Sequence, residues 1–145
     1  MNKHEREADQ TAIRALIGNH FEAMRWSPDE QANWAAFADD FLPEATLYPA
    51  ARPVQPKSLD EFIERMKGVA ENLLHTFEEH TCGMEILFFG NVAVVLAASE
   101  LLENGTEVNR DVSGYLLVKN DGEWRIAAHA WDKATDDLPA PEHLL

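Results

Sequence analysis

The sequence predicts an α+β fold, with three N-terminal helices packed on a curved antiparallel four-strand meander preceded by a short first strand. Three observations predict it. Apolar residues in the first half recur at 3.6-residue spacing, and from about residue 75 the pattern becomes strand, turn, strand. Turn signals at Gly90-Asn91, Asn104-Gly105 and Asn120-Asp121-Gly122 then divide the second half into four strands. Helices followed by a meander is the order of a sheet with its helices gathered on one face. A chain of 145 residues suits a single domain, 1–145, ordered over about 6–134 with a loose tail at 135–145.

Each element has its own signal. Ile13, Leu16, Ile17, His20, Phe21 and Met24 form the apolar stripe of a helix over about residues 6–25, which Ser27-Pro28-Asp29 ends. A short helix carries Trp34, Phe37 and Ala38 and stops before Pro43, and Ala45–Tyr48 reads as a short strand. Residues 49–56 hold three of the seven prolines and form an ordered loop, because proline fixes φ and lacks a donor. Ser58, with Glu61 three residues later, is a capping box opening a third helix through Leu59, Phe62, Ile63, Met66, Val69, Ala70 and Leu73.

Composition excludes several classes. Hydrophobic residues are 46% and charged residues 26%, ordinary for a globular chain. The formal charge of −14 repels phosphate backbones and anionic lipid, so neither nucleic acid nor membrane is an expected partner. No apolar run approaches the ~20 residues of a membrane span. The opening residues Met1–Glu7 are polar, and Cys82 is the only cysteine, which fits a cytoplasmic location and leaves no Cys-based zinc site. Asn104-Gly105-Thr106 matches a glycosylation sequon but reads as a hairpin turn. His75 and His80, with Glu78 and Glu79, match no standard metal-ligand spacing, so no metal and no cofactor are expected. Phosphate-binding Gly-rich loops, dinucleotide fingerprints and Gly-x-Ser-x-Gly elbows do not occur.

Turn lengths predict which side chains share a face. A two-residue turn at Asn104-Gly105 pairs Glu103 with Thr106, Glu100 with Asn109, Ala98 with Asp111 and Leu96 with Ser113. A three-residue loop at 120–122 pairs Lys119 with Glu123, Tyr115 with Ala127, Ser113 with His129 and Asp111 with Trp131. One face then carries Val94, Leu96, Ala98, Glu100, Asn109, Asp111, Ser113, Tyr115, His129 and Trp131. The other carries Val95, Ala97, Leu101, Val112, Leu116, Val118, Trp124, Ile126, Ala128 and Ala130. Helices can cover only one side. If they cover the mixed polar face, the apolar face meets a second copy in a homodimer. If they cover the apolar face, the polar one meets water.

With the polar face covered, a pocket between sheet and helices would suit a small apolar or amphipathic molecule. Asp111, Ser113, Tyr115 and His129 would be its polar lining, with Glu100 and Asn109 nearer the rim. Trp131, Leu96, Phe21, Met24, Phe62 and Met66 would be its apolar lining. His129 is the acid–base candidate, since imidazole titrates near neutrality. Asp111 would orient it, and Tyr115 or Tyr48 would donate to a developing oxyanion. The alternative is a buried histidine satisfied by Ser113 or Asp111.

The order of elements resembles the nuclear-transport-factor-2-like superfamily, a cystatin-like cone fold that includes SnoaL-like polyketide cyclases, ketosteroid isomerase and scytalone dehydratase. Residues 37–47 resemble the family's passage from helix to short strand. Ser58-Leu59-Asp60-Glu61-Phe62 resembles the start of its third helix, Asn91–Val95 its second meander strand, and Tyr115–Ile126 its last hairpin. The resemblance covers about residues 8–133 and implies a cofactor-free pocket and a dimer. It does not carry over ketosteroid isomerase chemistry. The position of that enzyme's base is held by Tyr48-Pro49, the position of its helix tyrosine by Phe21 or Met24, and that of its protonated aspartate by Ser113 or Gly114. Two readings follow: a cofactor-independent lyase, isomerase or cyclase using His129 with Asp111, or a non-catalytic ligand-binding or dimerisation domain. A third is an interaction module whose own side chains fill the pocket.

Overall fold

In the computed structural model, which describes residues 2–145, the first helix α1 spans Lys3–Asn19 and runs into a 3-10 turn at His20–Ala23. Asn2 and Glu5 cap its start reciprocally. A short α2, Trp34–Asp39, leads into β1, Phe41–Tyr48; β2, Lys57–Ser58, leads into α3, Leu59–Asn72, through the Ser58–Glu61 capping box. The meander is β3, Phe77–Phe89; β4, Val92–Glu103; β5, Glu107–Asn120; and β6, Glu123–Lys133.

The six strands form one sheet in the order β2-β1-β6-β5-β4-β3. All neighbours are antiparallel except β1 and β6, which run parallel, so the sheet is mixed. The helices lie on the inner face. Ile13 and Ile17 of α1, Phe37 of α2 and Phe62 of α3 meet Leu47, Val95, Leu117 and Ile126 of the sheet in one core. The hydroxyl of Thr81 on β3 donates to the Ile17 carbonyl at 3.0 Å, tying the end of α1 to the sheet.

Two turns differ from the expected lengths, with different consequences. The β4–β5 connection has three residues, so Glu103 faces Glu107 and Leu96 faces Gly114. That slip of one residue inverts β4. Val95, Ala97 and Ser99 are buried inside, whereas Leu96 and Glu100 are on the outer face. The reason is tertiary. Asn104 is held in the left-handed region (φ 51°), and its amide oxygen accepts the His75 N–H at 2.8 Å, while its own N–H donates to the Thr76 carbonyl at 2.7 Å. The β5–β6 connection has two residues, Asp121 and Gly122, both at positive φ, pairing Asn120 with Glu123. A bulge at Ala127 then shifts the ladder again, so Tyr115 faces His129 and Ser113 faces Trp131. Two single shifts restore parity, keeping His129 and Trp131 inside. Before the bulge, Trp124 and Ile126 move from the expected outer face into the core.

The tail does not hang loose. Ala134 donates to the Arg110 carbonyl at 2.8 Å, and Ala140 and Leu144 pack with Ala98 against the outer face of the sheet. Gly83 permits this, because a Cβ there would lie 2.8 Å from the Leu144 carbonyl oxygen.

One buried polar clasp joins α1 to the last hairpin. Asp9 accepts from the Lys119 ammonium at 3.0 Å and from the Trp124 indole N–H at 3.1 Å. Asp9→Ala leaves a buried indole N–H and a half-buried ammonium unpartnered. Chemical denaturation is expected to show a loss of about 2–3 kcal/mol.

Candidate functional site

Between the inner sheet face, α3, the 3-10 turn and the 49–51 loop lies a cavity of about 270 Å³. This is at the small end of ligand pockets. Its apolar wall includes Phe21, Met24, Phe37, Phe62, Met66, Phe77 and Trp131, and its polar wall Glu79, Glu103, Asp111, Ser113 and His129, with Arg65. The Arg52 guanidinium donates to the carbonyls of Pro49, Ala50 and Ala51, and so fixes the loop that forms one edge.

His129 is 4% exposed. Its ring stacks on Tyr115 (centroids 4.3 Å, interplanar 15°) and leans on Trp131 at 4.7 Å. Nε2 and the Ser113 hydroxyl are hydrogen-bonded at 2.9 Å, and Nδ1 has no partner. Burial, reinforced by nearby His20, holds its pKa well below the ordinary imidazole value, so the ring is neutral at pH 7. Glu79 is buried, and the Ser99 hydroxyl donates to it at 2.7 Å. Burial raises its pKa to about 8 against that hydrogen bond, with Asp111 and Glu103 adding to the rise. Asp111 is raised to about 6, chiefly by burial, opposed by Lys133. A neutral imidazole and a neutral carboxyl on one cavity wall are a proton acceptor and a proton donor.

Behind this wall His20, one of the apolar-stripe positions of the first helix, pairs with Asp40. The His20 Nδ1–H donates to the Asp40 carboxylate at 2.8 Å, leaving Nε2 buried without a partner. The ring stacks on Phe37 at 4.8 Å and lies 6.2 Å from Tyr115 and 6.3 Å from His129. Tyr115 OH is likewise buried and unpartnered, and burial pushes its pKa up, keeping it a phenol. A histidine inside an apolar stripe was the available signal for His20. For Glu79 the signal was its strand alternation with Phe77.

The expected site residues divide. His129, Asp111, Ser113, Trp131, Phe21, Met24, Phe62 and Met66 line the cavity, and Tyr115 sits directly behind His129. Asp111 does not orient His129: Ser113 makes that hydrogen bond, and Asp111 faces Lys133, two pairs beyond Ser113 and Trp131 in the ladder. Tyr48 is on the outer face, because inward and outward residues alternate along β1 and Leu47 takes the core. Leu96 and Glu100 are outside through the β4 slip, and Glu100 is paired with Arg110 at 3.3 Å. Asn109 donates to Glu103 at 2.9 Å and does not reach the cavity. Glu78 is paired with Arg25 at 2.7 Å, on the opposite side of β3 from Glu79. Among the described residues no group of three His, Cys, Asp or Glu side chains is arranged to hold a metal.

This architecture is the cystatin-like, nuclear-transport-factor-2-like fold. The structure is similar to LinA, with a TM-score of 0.74, 15% identity, and 93% of this chain and 92% of that one covered. A candidate scytalone dehydratase from Novosphingobium aromaticivorans gives 0.73 at 13% identity, over 92% and 89%. An NTF2-like protein of unknown function from Pseudomonas putida gives 0.72 at 14%, over 93% and 94%. No protein-family model matches the chain, and no curated protein matches it by sequence.

Proposed function

We propose that the cavity binds a small, largely apolar or amphipathic molecule and that the protein catalyses a cofactor-independent proton transfer on it, of lyase, isomerase or cyclase type. The observation that carries this reading is His129: buried in the cavity wall, held at Nε2 by Ser113, with Nδ1 unshared. When the ring's proton is on Nε2, Nδ1 is a positioned base. The fold's likeness to candidate dehydratases supports the same class. The test is α-proton exchange in D2O, followed by NMR, over a panel of small cyclic ketones and β-hydroxyketones. Exchange by the wild type that disappears in His129→Ala supports the enzyme. Binding without exchange across the panel makes it a ligand-binding domain.

A homodimer through the outer sheet face is the second part of the proposal. Leu87, Phe89, Val94, Leu96 and Leu116 are exposed there, Phe89 by 87%, and a shallow apolar groove beside Tyr48 is lined by Leu87, Val94, Leu96 and Leu116. A patch of this kind is costly in water and is commonly covered by a second copy. Sedimentation equilibrium is expected to give twice the chain mass, and Leu96→Glu to weaken association at least ~10²-fold by burying a charge at the seam. A wild-type monomer at micromolar concentration would overturn it. No described helix is long and apolar enough to cross a membrane.

A further inference from the structure

Three carboxyls face one aromatic cavity. Glu79, Glu103 and Asp111 come from three successive strands and line the same wall. Among the described residues none of them lies within 4.0 Å of a Lys, Arg or His nitrogen, since the ion pairs of the protein involve other groups. Their hydrogen bonds come from neutral donors: Ser99 to Glu79 and Asn109 to Glu103. Arg65 of α3 is the one Lys or Arg lining the cavity, and it is exposed. Beside the carboxyls stand Trp131 and Phe62, packed edge to face at 5.7 Å, and the buried His129 with its unshared Nδ1.

We propose that the ligand of this cavity is an organic ammonium ion: a primary or secondary amine on a compact ring, its N–H groups donating to Asp111 and Glu103 with Glu79 deeper in, its apolar body on Trp131 and Phe62. The proposal rests on the reading of the cavity as a ligand site. Unpaired carboxyl groups in an apolar cleft gain most from a ligand that brings the missing cation, and an aromatic face adds cation–π attraction. The chain's charge of −14 favours the approach of cations to it. Asp111 carries the pH dependence. The charged groups near it are Lys133 directly opposite on β6, Asp132 beside it, Glu103 of β4 and Glu79 of β3, with Arg65 at the α3 side of the cavity. Ionised above about pH 6, it is the counter-ion, and binding weakens as it protonates below that.

Isothermal titration of the full chain at pH 8 with benzylamine, benzyl alcohol and benzoate compares cation, neutral and anion on one ring. Benzylamine is expected to bind about 10- to 100-fold tighter than benzyl alcohol, the range of a charge-assisted contact. Benzoate is expected to bind weakest. The preference should shrink at pH 5 and in Asp111→Asn, with Asp111→Glu retaining part of it; near-ultraviolet circular dichroism checks that both variants are folded. Equal binding of amine and alcohol overturns the ammonium proposal and leaves the apolar cavity standing. Tighter binding of benzoate overturns it in favour of Arg65. An amine preference unchanged in Asp111→Asn overturns it as general attraction to an acidic surface. If no probe binds, the ligand-site reading falls as well.

Discussion

Replacing His129 by alanine is expected to lower kcat by about 10²–10⁴-fold, the usual worth of a positioned general base, while a ligand still binds. The geometry makes the effect large. His129 lines the cavity with a neutral ring whose Nε2 is engaged by Ser113, so one tautomer leaves the buried Nδ1 as an unshared base. Ser113→Ala removes that orientation but not the base. It is expected to reduce kcat about 10-fold with KM little changed, a far smaller loss than removing the base itself. Because burial holds the imidazole far below its ordinary pKa, the acid limb of the kcat/KM profile is expected well below the 6.5 of an ordinary imidazole. Turnover that survives in His129→Ala would remove the residue from the mechanism. The base would then be sought at His20, whose Nε2 is also unshared and whose Nδ1 is held by Asp40.

The second large effect concerns stability and pH. Glu79 binds its proton up to about pH 8 in the folded protein, against an ordinary value of 4.5. Between those values the native state holds a proton that the unfolded chain has lost, so stability falls as pH rises through that window. Asp111, raised to about 6, acts in the same direction at lower pH. His129 acts oppositely: its depressed pKa means that the unfolded chain binds the extra proton below 6.5, so its contribution is lost as pH falls. Above about pH 6.5 the Glu79 contribution stands without that opposition. Glu79→Gln, which can keep a hydrogen bond to Ser99, is expected to be more stable than the wild type at pH 9 by about 2–5 kcal/mol, with little difference near pH 5. Urea denaturation at the two pH values reads the difference directly. Equal stabilities at pH 9 would mean that Glu79 ionises in the fold without penalty.

Much of the site's apolar frame was legible because helical periodicity survives errors of detail. Phe21, Met24, Phe62 and Met66 lie on stripes that must face the sheet, and they line the cavity. Strand faces are less forgiving, since one residue of slip exchanges them. The Asn104 loop placed Leu96 and Glu100 outside, whereas two successive shifts in the last hairpin cancelled at His129 and Trp131. The slip of β4 depends on contacts of Asn104 with His75 and Thr76, nearly 30 residues away, and the inward return of His129 and Trp131 on a bulge at Ala127; neither has a local signature. The tail had no periodicity to read, and its place depends on the space above Gly83.

The sequence by itself determined the kind of architecture: helices before a meander, with the residues from Tyr115 to Ile126 resembling a known last hairpin and the fold confirming that likeness. Turn residues, capping boxes and amphipathic periods are local and additive, so they can be read one segment at a time. What only the tertiary structure decided is which polar groups lose their water. Glu79, His20 and His129 owe their chemistry to burial against residues remote in sequence, and His20 meets Asp40 only because the end of α1 returns to the start of β1. Desolvation is a property of the assembled wall, and no single segment carries it.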